Sequence, residues 1–138
     1  MHYFLAKTDP ETYSIADLAR ERETVWDGVH SAAAILVIKS WNVGDHIIIY
    51  HSQGEKCIVG LMEVAGTPYE NTADPRRSWA AKVKYIKEFP EAQKISLALV
   101  KQSGKFADFA LVKQGRLSTM ACPAEFITWL KSKGVELP

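Results

Sequence analysis

Apolar and polar positions alternate along this chain in short segments with two different periods. Tyr3-Phe4-Leu5-Ala6 predicts a strand, closed off by Pro10. Ser14 then stands as the N-cap of a helix, with Asp17 in the capping-box position and Ile15, Leu18 and Ala19 supplying the apolar side as far as about Glu23. The Asp27-Gly28 pair puts Trp26 to His30 in a turn or loop, and Ser31 caps a second helix from Ala32 to Lys39. That helix is nearly all apolar, which predicts that it is largely buried.

Gly44-Asp45 turns the chain into His46 to His51, whose β-branched run predicts a strand covered on both faces. The turn Gln53 to Lys56 returns it into Cys57 to Val64, making a hairpin. After a loop holding Pro68, Asp74 and Pro75, residues Trp79 to Phe89 alternate. Trp79, Ala81, Val83 and Tyr85 lie on one face and Lys82 and Lys84 on the other, the pattern of a half-buried strand. Ile95 to Val100 is short and apolar and fits helix or strand, with helix preferred. Phe109 to Val112 and Gln114 to Ser118 read as a strand, a turn and another short strand. Pro123 opens a final helix at its first position, with Phe126, Ile127 and Leu130 on one stripe, and Gly134 stops it. Helices do not follow every strand, so the pattern predicts one α+β domain over residues 1–138, built on a curled sheet or small barrel and not on a doubly wound parallel sheet.

Composition agrees with one globular core: 138 residues, 47% hydrophobic and 10% aromatic, which excludes a disordered or disulfide-scaffold chain. The apolar runs Ala32 to Ile38 and Ile47 to Tyr50 fall well short of the roughly 20 residues that cross a bilayer, and no signal peptide is recognisable. Cys57 and Cys122 lack metal-ligand spacing, which predicts free thiols in a reducing, cytoplasmic compartment, or a nuclear one in a eukaryote.

The net charge of +1 conceals a strong polarity: residues 1–75 carry 5 Lys and Arg against 11 Asp and Glu, while residues 76–133 carry 12 against 4. A chain this close to neutral is not built to coat duplex nonspecifically, so any nucleic-acid footprint is short. Arg76, Arg77, Lys82 and Lys84 are the candidates for phosphate contact. The other reading of Lys82, Lys84 and Lys87 is a solvated face that discourages edge pairing.

Familiar catalytic signatures are absent: no glycine-rich phosphate loop, no Gly-x-Ser-x-Gly and no His-Glu-x-x-His. His51 and Ser52 are neighbours on a strand and so point to opposite faces, which makes a base–nucleophile pair with Asp27 as orienter unattractive. No catalytic residue is therefore assigned. His2, His30, His46 and His51 have no ligand spacing, so neither a metal nor another cofactor is implied. Trp41 and Trp129 suit the core. Trp26 stands among Asp27, Gly28, His30 and Ser31, an aromatic face beside hydrogen-bonding groups, which is the chemistry that grips a flat polar ring. Trp79, just after Arg76-Arg77, is either a second wall of such a site or a cap on the core.

Lys7-Thr8-Asp9-Pro10, Tyr13-Ser14-Ile15-x-x-Leu18, Trp26-Asp27-Gly28-Val29, Val43-Gly44-Asp45, Tyr50-His51-Ser52, Gly60-x-x-Glu63-Val64, Trp79 and Leu111-Val112-x-Gln114-Gly115-Arg116-Leu117-Ser118 resemble, in this order, the motifs of the EVE domain. The resemblance covers nearly the whole chain. It implies a PUA-like fold, a small twisted β-barrel flanked by short helices and close to the YTH readers of methylated adenine. The implied activity is noncatalytic: a modified base, with 5-substituted cytosine in DNA favoured and RNA the other candidate, is flipped into an aromatic and polar pocket. Carried over by position, the pocket or its rim comprises Lys7, Thr8, Trp26, Val29, Ser31, Tyr50, His51, Ser52, Trp79 and Arg116. The chain departs from the family pattern at Thr8-Asp9, where Ser-Glu is usual, and at His30-Ser31, where Arg-Asn is usual. The second change removes a fork of donors and a bidentate base reader.

Three functions follow as expectations. The first is a reader whose partner is nucleic acid with a modified base, with no membrane role. The second is an enzyme on a small molecule or nucleotide using the His51-Ser52 region, and the third is a protein-interaction domain.

Overall fold

In the computed structural model, which describes residues 2–138, the backbone is organised around a single sheet whose two faces are both covered. Its strands are β1 (Tyr3–Thr8), β2 (Glu23–Val29), β3 (His46–His51), β4 (Cys57–Val64), β5 (Tyr69–Glu70), β6 (Trp79–Glu88) and β7 (Thr119–Ala121). They lie in the order β2-β6-β4-β3-β1-β7, with β5 paired to β6 outside that path. β1 and β3 run parallel, joined by a crossover that contains α1 (Ile15–Glu21), β2 and α2 (Ala32–Ile38); the other pairings are antiparallel.

Alternation along the buried strands supplies two cores. Phe4, Ala6, Ile47, Ile49, Met62 and Val83 face inward with Ile15 and Leu18 of α1 and Ala34 and Ile38 of α2. Leu5, Ile48, Tyr50, Ile58 and Leu61 face the other way, under α3 (Leu97–Gln102), α4 (Ala110–Lys113) and α5 (Ala124–Ser132). Three irregularities curl the sheet: Val59 is the extra residue between β3 and β4, Ile86 between β4 and β6, and Asp27-Gly28 widen the β2–β6 pairing. Each adds local twist and bend. The two edge strands are bridged by α2, which packs on β2 and β6 on one side and on β7 on the other, so the half-barrel is closed by a helix. The curled α+β architecture is the one expected from the sequence.

Local signals hold in detail at several places. The Ser14 hydroxyl accepts from Asp17 N at 3.1 Å, and Ser14 N donates to Asp17 Oδ2 at 2.8 Å, completing the capping box. The β3–β4 hairpin is present, and Gly60 of β4 is needed there: a Cβ at that position would stand 2.6 Å from both Ile15 Cδ1 and the Lys87 carbonyl oxygen. Both cysteines are free.

Five expectations are corrected. Trp26 to Val29 are not a loop but the end of β2; Trp26 pairs with Ala81 and Val29 with Trp79, and the bulge absorbs Asp27-Gly28, with Gly28 at φ +76°. α2 is not largely buried. As a seven-residue helix across a seam it buries Ala34 and Ile38 in the core, packs Ile35 and Val37 partly buried against it, and leaves Ala32 and Ala33 exposed and Leu36 72% exposed. Ala110–Lys113 is a helical turn, because Phe109 and Leu111 reach the outer core from a turn as well as from a strand and a short apolar run carries no period. The short strand begins at Thr119, and Gln114 to Ser118 form the turn before it. Pro123 stands at the N-cap of α5 and not inside it.

Candidate ligand cleft

At one mouth of the half-barrel, the end of β1, the turn after it and the exposed edge of β2 enclose a cleft of about 370 Å³. The turn forms because Asp9 organises it: the Asp9 carbonyl accepts from Thr12 N at 3.0 Å and Tyr13 N at 2.9 Å, and its carboxylate accepts from Glu11 N at 3.0 Å. Thr8 locks the turn down by donating its hydroxyl to the Tyr13 carbonyl at 2.7 Å. Lys7, Thr8, Thr12 and Tyr13 thereby form one wall, and Thr24, Val25, Trp26 and Asp27 the other.

Tyr13 and Trp26 meet edge to face, with ring centroids 6.3 Å apart and planes at 85°. Tyr13 donates its hydroxyl to Glu21 Oε1 at 2.5 Å; burial and that carboxylate push its pKa up to about 12, so the ring stays neutral. Trp26 is only 9% exposed and is anchored in the inner core, with a limited edge toward the cleft. Lys7 is the cation of the cleft. It donates through Nζ to the Gly115 carbonyl at 2.9 Å, lies 5.8 Å from the Tyr50 ring centroid, and burial lowers its pKa. Among the described residues no carboxylate comes within ion-pair distance of it.

The residues singled out from the sequence separate into groups. Lys7, Thr8 and Trp26 share the cleft. Ser31 and Arg116 line a neighbouring groove of about 390 Å³ with Ala33, Gln114, Gly115 and Leu117. Tyr50, 3% exposed, belongs to the outer core behind Lys7. His51 accepts from Ile15 N through Nε2 at 3.2 Å, and burial first, then nearby Lys94, lowers its pKa. Ser52 donates its backbone N–H to the Thr8 carbonyl at 2.9 Å. His51 and Ser52 thus join α1 and β1 to the end of β3. Val29 is buried opposite Trp79, and Lys39 Nζ sits 5.1 Å from the Trp79 ring centroid.

Of the basic candidates, Lys82 pairs with Glu23 at 3.5 Å and Lys84 with Glu63 at 3.2 Å. Arg76 is exposed; its backbone N–H donates to Asp74 Oδ1 at 2.9 Å and its Nη1 to His30 Nε2 at 3.3 Å. His30 Nδ1 lies 2.7 Å from the Gly28 carbonyl, so the proton is on Nδ1 and Nε2 is the acceptor. Arg77 is exposed in the same turn at φ +51°. Among the described residues no group of three or more His, Cys, Asp or Glu is placed to hold a metal ion, and no helix is long and apolar enough to cross a membrane.

Sequence reasoning did not pick out Thr12, Tyr13, Thr24 and Val25 as wall residues. Tyr13 carried a usable signal, an aromatic residue immediately before an N-cap and a few residues after a strand end, where it must hang over that end.

The EVE domain family matches residues 2–132. Among solved structures, one from Rhodopseudomonas palustris is 28% identical with a TM-score of 0.86, covering 97% of this chain and 93% of its own. One from Pseudomonas putida is 27% identical with a TM-score of 0.85, covering 96% and 99%. The human THYN1 protein in complex with 5-methylcytosine containing DNA is 22% identical with a TM-score of 0.83, covering 99% and 100%. No curated protein matches the chain by sequence. The ordered motifs, the helix-closed half-barrel and the family match over nearly the full length agree: this chain belongs to the EVE domain family.

Proposed function

We propose that the chain is a noncatalytic reader that holds a flipped 5-substituted cytosine of DNA in the cleft, with a modified RNA base as the other candidate. The observation that carries this reading is the Tyr13–Trp26 pair beside Lys7, in a cleft whose volume falls in the usual range for ligand sites, about 300–1,000 Å³. Aromatic edges and faces with a few fixed polar groups suit a planar base. Asp27 on the opposite wall opposes a phosphate in the cleft, which leaves the base inside and the backbone outside. The complex of the human relative with DNA containing 5-methylcytosine supports the choice of ligand class.

The enzyme reading needs His51 as a base. Its Nε2 is occupied by the Ile15 N–H. The thiols offer no nucleophile either: burial pushes Cys57 up to about 11, and Cys122 is raised by burial as well.

The test is fluorescence anisotropy with a panel of oligonucleotides, DNA and RNA, that differ in one modified base at a stated salt concentration. Tighter binding of one modified oligonucleotide than of its unmodified counterpart, with both recovered unaltered by mass spectrometry, is the expected result. Equal affinity across the panel defeats the reader, and a chemical change that disappears in His51→Ala establishes the enzyme instead.

A further inference from the structure

The cleft and the neighbouring groove are joined by one side chain. Lys7 lines the cleft, and its Nζ donates to the carbonyl of Gly115, which lines the groove. The groove runs between the start of α2 and the turn Gln114 to Leu117, and that turn is held at both ends. Gln114 N donates to the Ala110 carbonyl at 2.8 Å, Leu117 N to the Gln114 carbonyl at 3.0 Å, and Lys7 N to the Ser118 carbonyl at 2.8 Å. On the α2 side the lining residues are small, Ser31 and Ala33, so the concavity stays open.

Charge distinguishes this groove from the basic strand β6. There Lys82 and Lys84 already have carboxylates at 3.5 and 3.2 Å. Lys113 and Arg116, on either side of Gln114-Gly115, are exposed. Among the described residues neither lies within ion-pair distance of a carboxylate. A cation that must first leave a carboxylate gains less from a phosphate than one that is free, and Arg presents a planar fork that fits phosphate oxygens. Asp27 lines the cleft, whereas the lining of the groove includes no carboxylate, so a polyanion is repelled less by the groove than by the cleft.

We propose that this groove seats the sugar–phosphate backbone next to the base held in the cleft, with Lys113 and Arg116 as its phosphate contacts and Ala33 and Leu117 as the apolar floor under the sugar; the assignment rests on the reader function proposed above. Lys82 and Lys84 then belong to the solvated face of β6 and not to the binding track.

The test compares the full chain with Lys113→Gln/Arg116→Gln and with Lys82→Gln/Lys84→Gln. Each is titrated by anisotropy against a DNA oligonucleotide with one 5-methylcytosine and against its unmodified counterpart, from about 50 to about 200 mM salt. Removing two phosphate contacts flattens the slope of log K against log salt by about 1.4 for a single strand and about 1.8 for duplex. The first variant is expected to show this loss, with both oligonucleotides weakened by the same factor and their ratio unchanged, while the second keeps the parental slope. An unchanged slope in the first variant, or the loss appearing in the second, overturns the groove assignment. A parent chain that binds DNA but does not prefer the modified oligonucleotide defeats the reader while the slopes still decide the groove, and a parent that binds neither oligonucleotide overturns both.

Discussion

The two faces of the sheet use alternate residues of the same strands, yet they are finished differently. On the outer face Phe106, Phe109, Phe126 and Trp129 close over Leu5, Ile48 and Leu61 with ring centroids 4.7–6.4 Å apart; the buried members of the cluster are hydrophobic, and lysines reach only its rim, with Lys133 Nζ 5.7 Å from the Trp129 ring centroid. On the inner face α1 and α2 cover most of the strands, but the core runs out at one mouth into the Tyr13–Trp26 pair and the half-buried Lys7. Burying an amine without a counter-charge is unfavourable, and the depressed pKa of Lys7 records it. The difference teaches where stability and binding reside: a complete apolar face tolerates an incomplete one on its reverse side.

Substitutions that enlarge this contrast come first. Phe126→Ala and Trp26→Ala are each expected to lower stability by about 3–5 kcal/mol in denaturant unfolding, since both rings are in a core. Only Trp26→Ala is expected to weaken oligonucleotide binding as well, by about 1–3 kcal/mol under conditions where both variants remain folded. A binding loss of that size in Phe126→Ala breaks the division of labour between the faces.

Gly60→Ala tests whether the cleft depends on the way α1 sits on the sheet. The added methyl meets the Lys87 carbonyl oxygen and Ile15 at 2.6 Å, and the backbone atom cannot give way cheaply, so a loss of about 1–3 kcal/mol is expected. Because Ile15 starts the helix that follows Tyr13, affinity is expected to fall with stability. Normal stability in this variant contradicts the close packing of α1 on β4.

A smaller effect is expected on acidification. Neutral His51 accepts the Ile15 N–H bond, and its pKa is held below the usual 6.5, so the unfolded chain takes up that proton more readily than the folded one. This contribution is complete above about pH 6.5 and is lost as the pH falls below it. Urea midpoints measured between about pH 7.5 and about pH 5 should drop less in His51→Gln, whose amide oxygen can accept the same bond, than in the parent. Equal drops remove His51 from this role.

The smallest effect concerns the exposed pair on β6. Lys82→Ala is expected to change stability by about 0–1 kcal/mol, because its bond to Glu23 is open to water on both sides. A larger loss shows that the β2 edge depends on that pair, and with it the wall of the cleft.

Legibility in the sequence followed the range of the signal. The capping box at Ser14 and Asp17, the β-branched run Ile47 to Ile49 and the turn at Gly44-Asp45 act within a few residues, and each forms as read. The Asp27-Gly28 pair misled because it is a bulge inside a strand, stabilised by pairing with Ala81 and Trp79 far along the chain. Phe109 to Val112 misled because four apolar residues are too few to carry a period. Within the cleft, Lys7, Thr8 and Trp26 were visible as motif residues. Tyr13 was not visible as a wall, because its position depends on the turn that Asp9 organises.

What the sequence determined by itself was the set of local elements, the α+β class and the resemblance to EVE domains, since capping, turn chemistry and alternation are properties of neighbouring residues. The tertiary structure alone decided that α2 closes the half-barrel with Leu36 left outside, that Tyr13 and Trp26 share a cleft while Tyr50 lies in the outer core and His51 holds the start of α1, and which lysines have carboxylate partners. Those outcomes depend on strand order and register, which bring Glu23 to Lys82 and Gly115 to Lys7; no local pattern encodes a pairing between residues so distant in the chain.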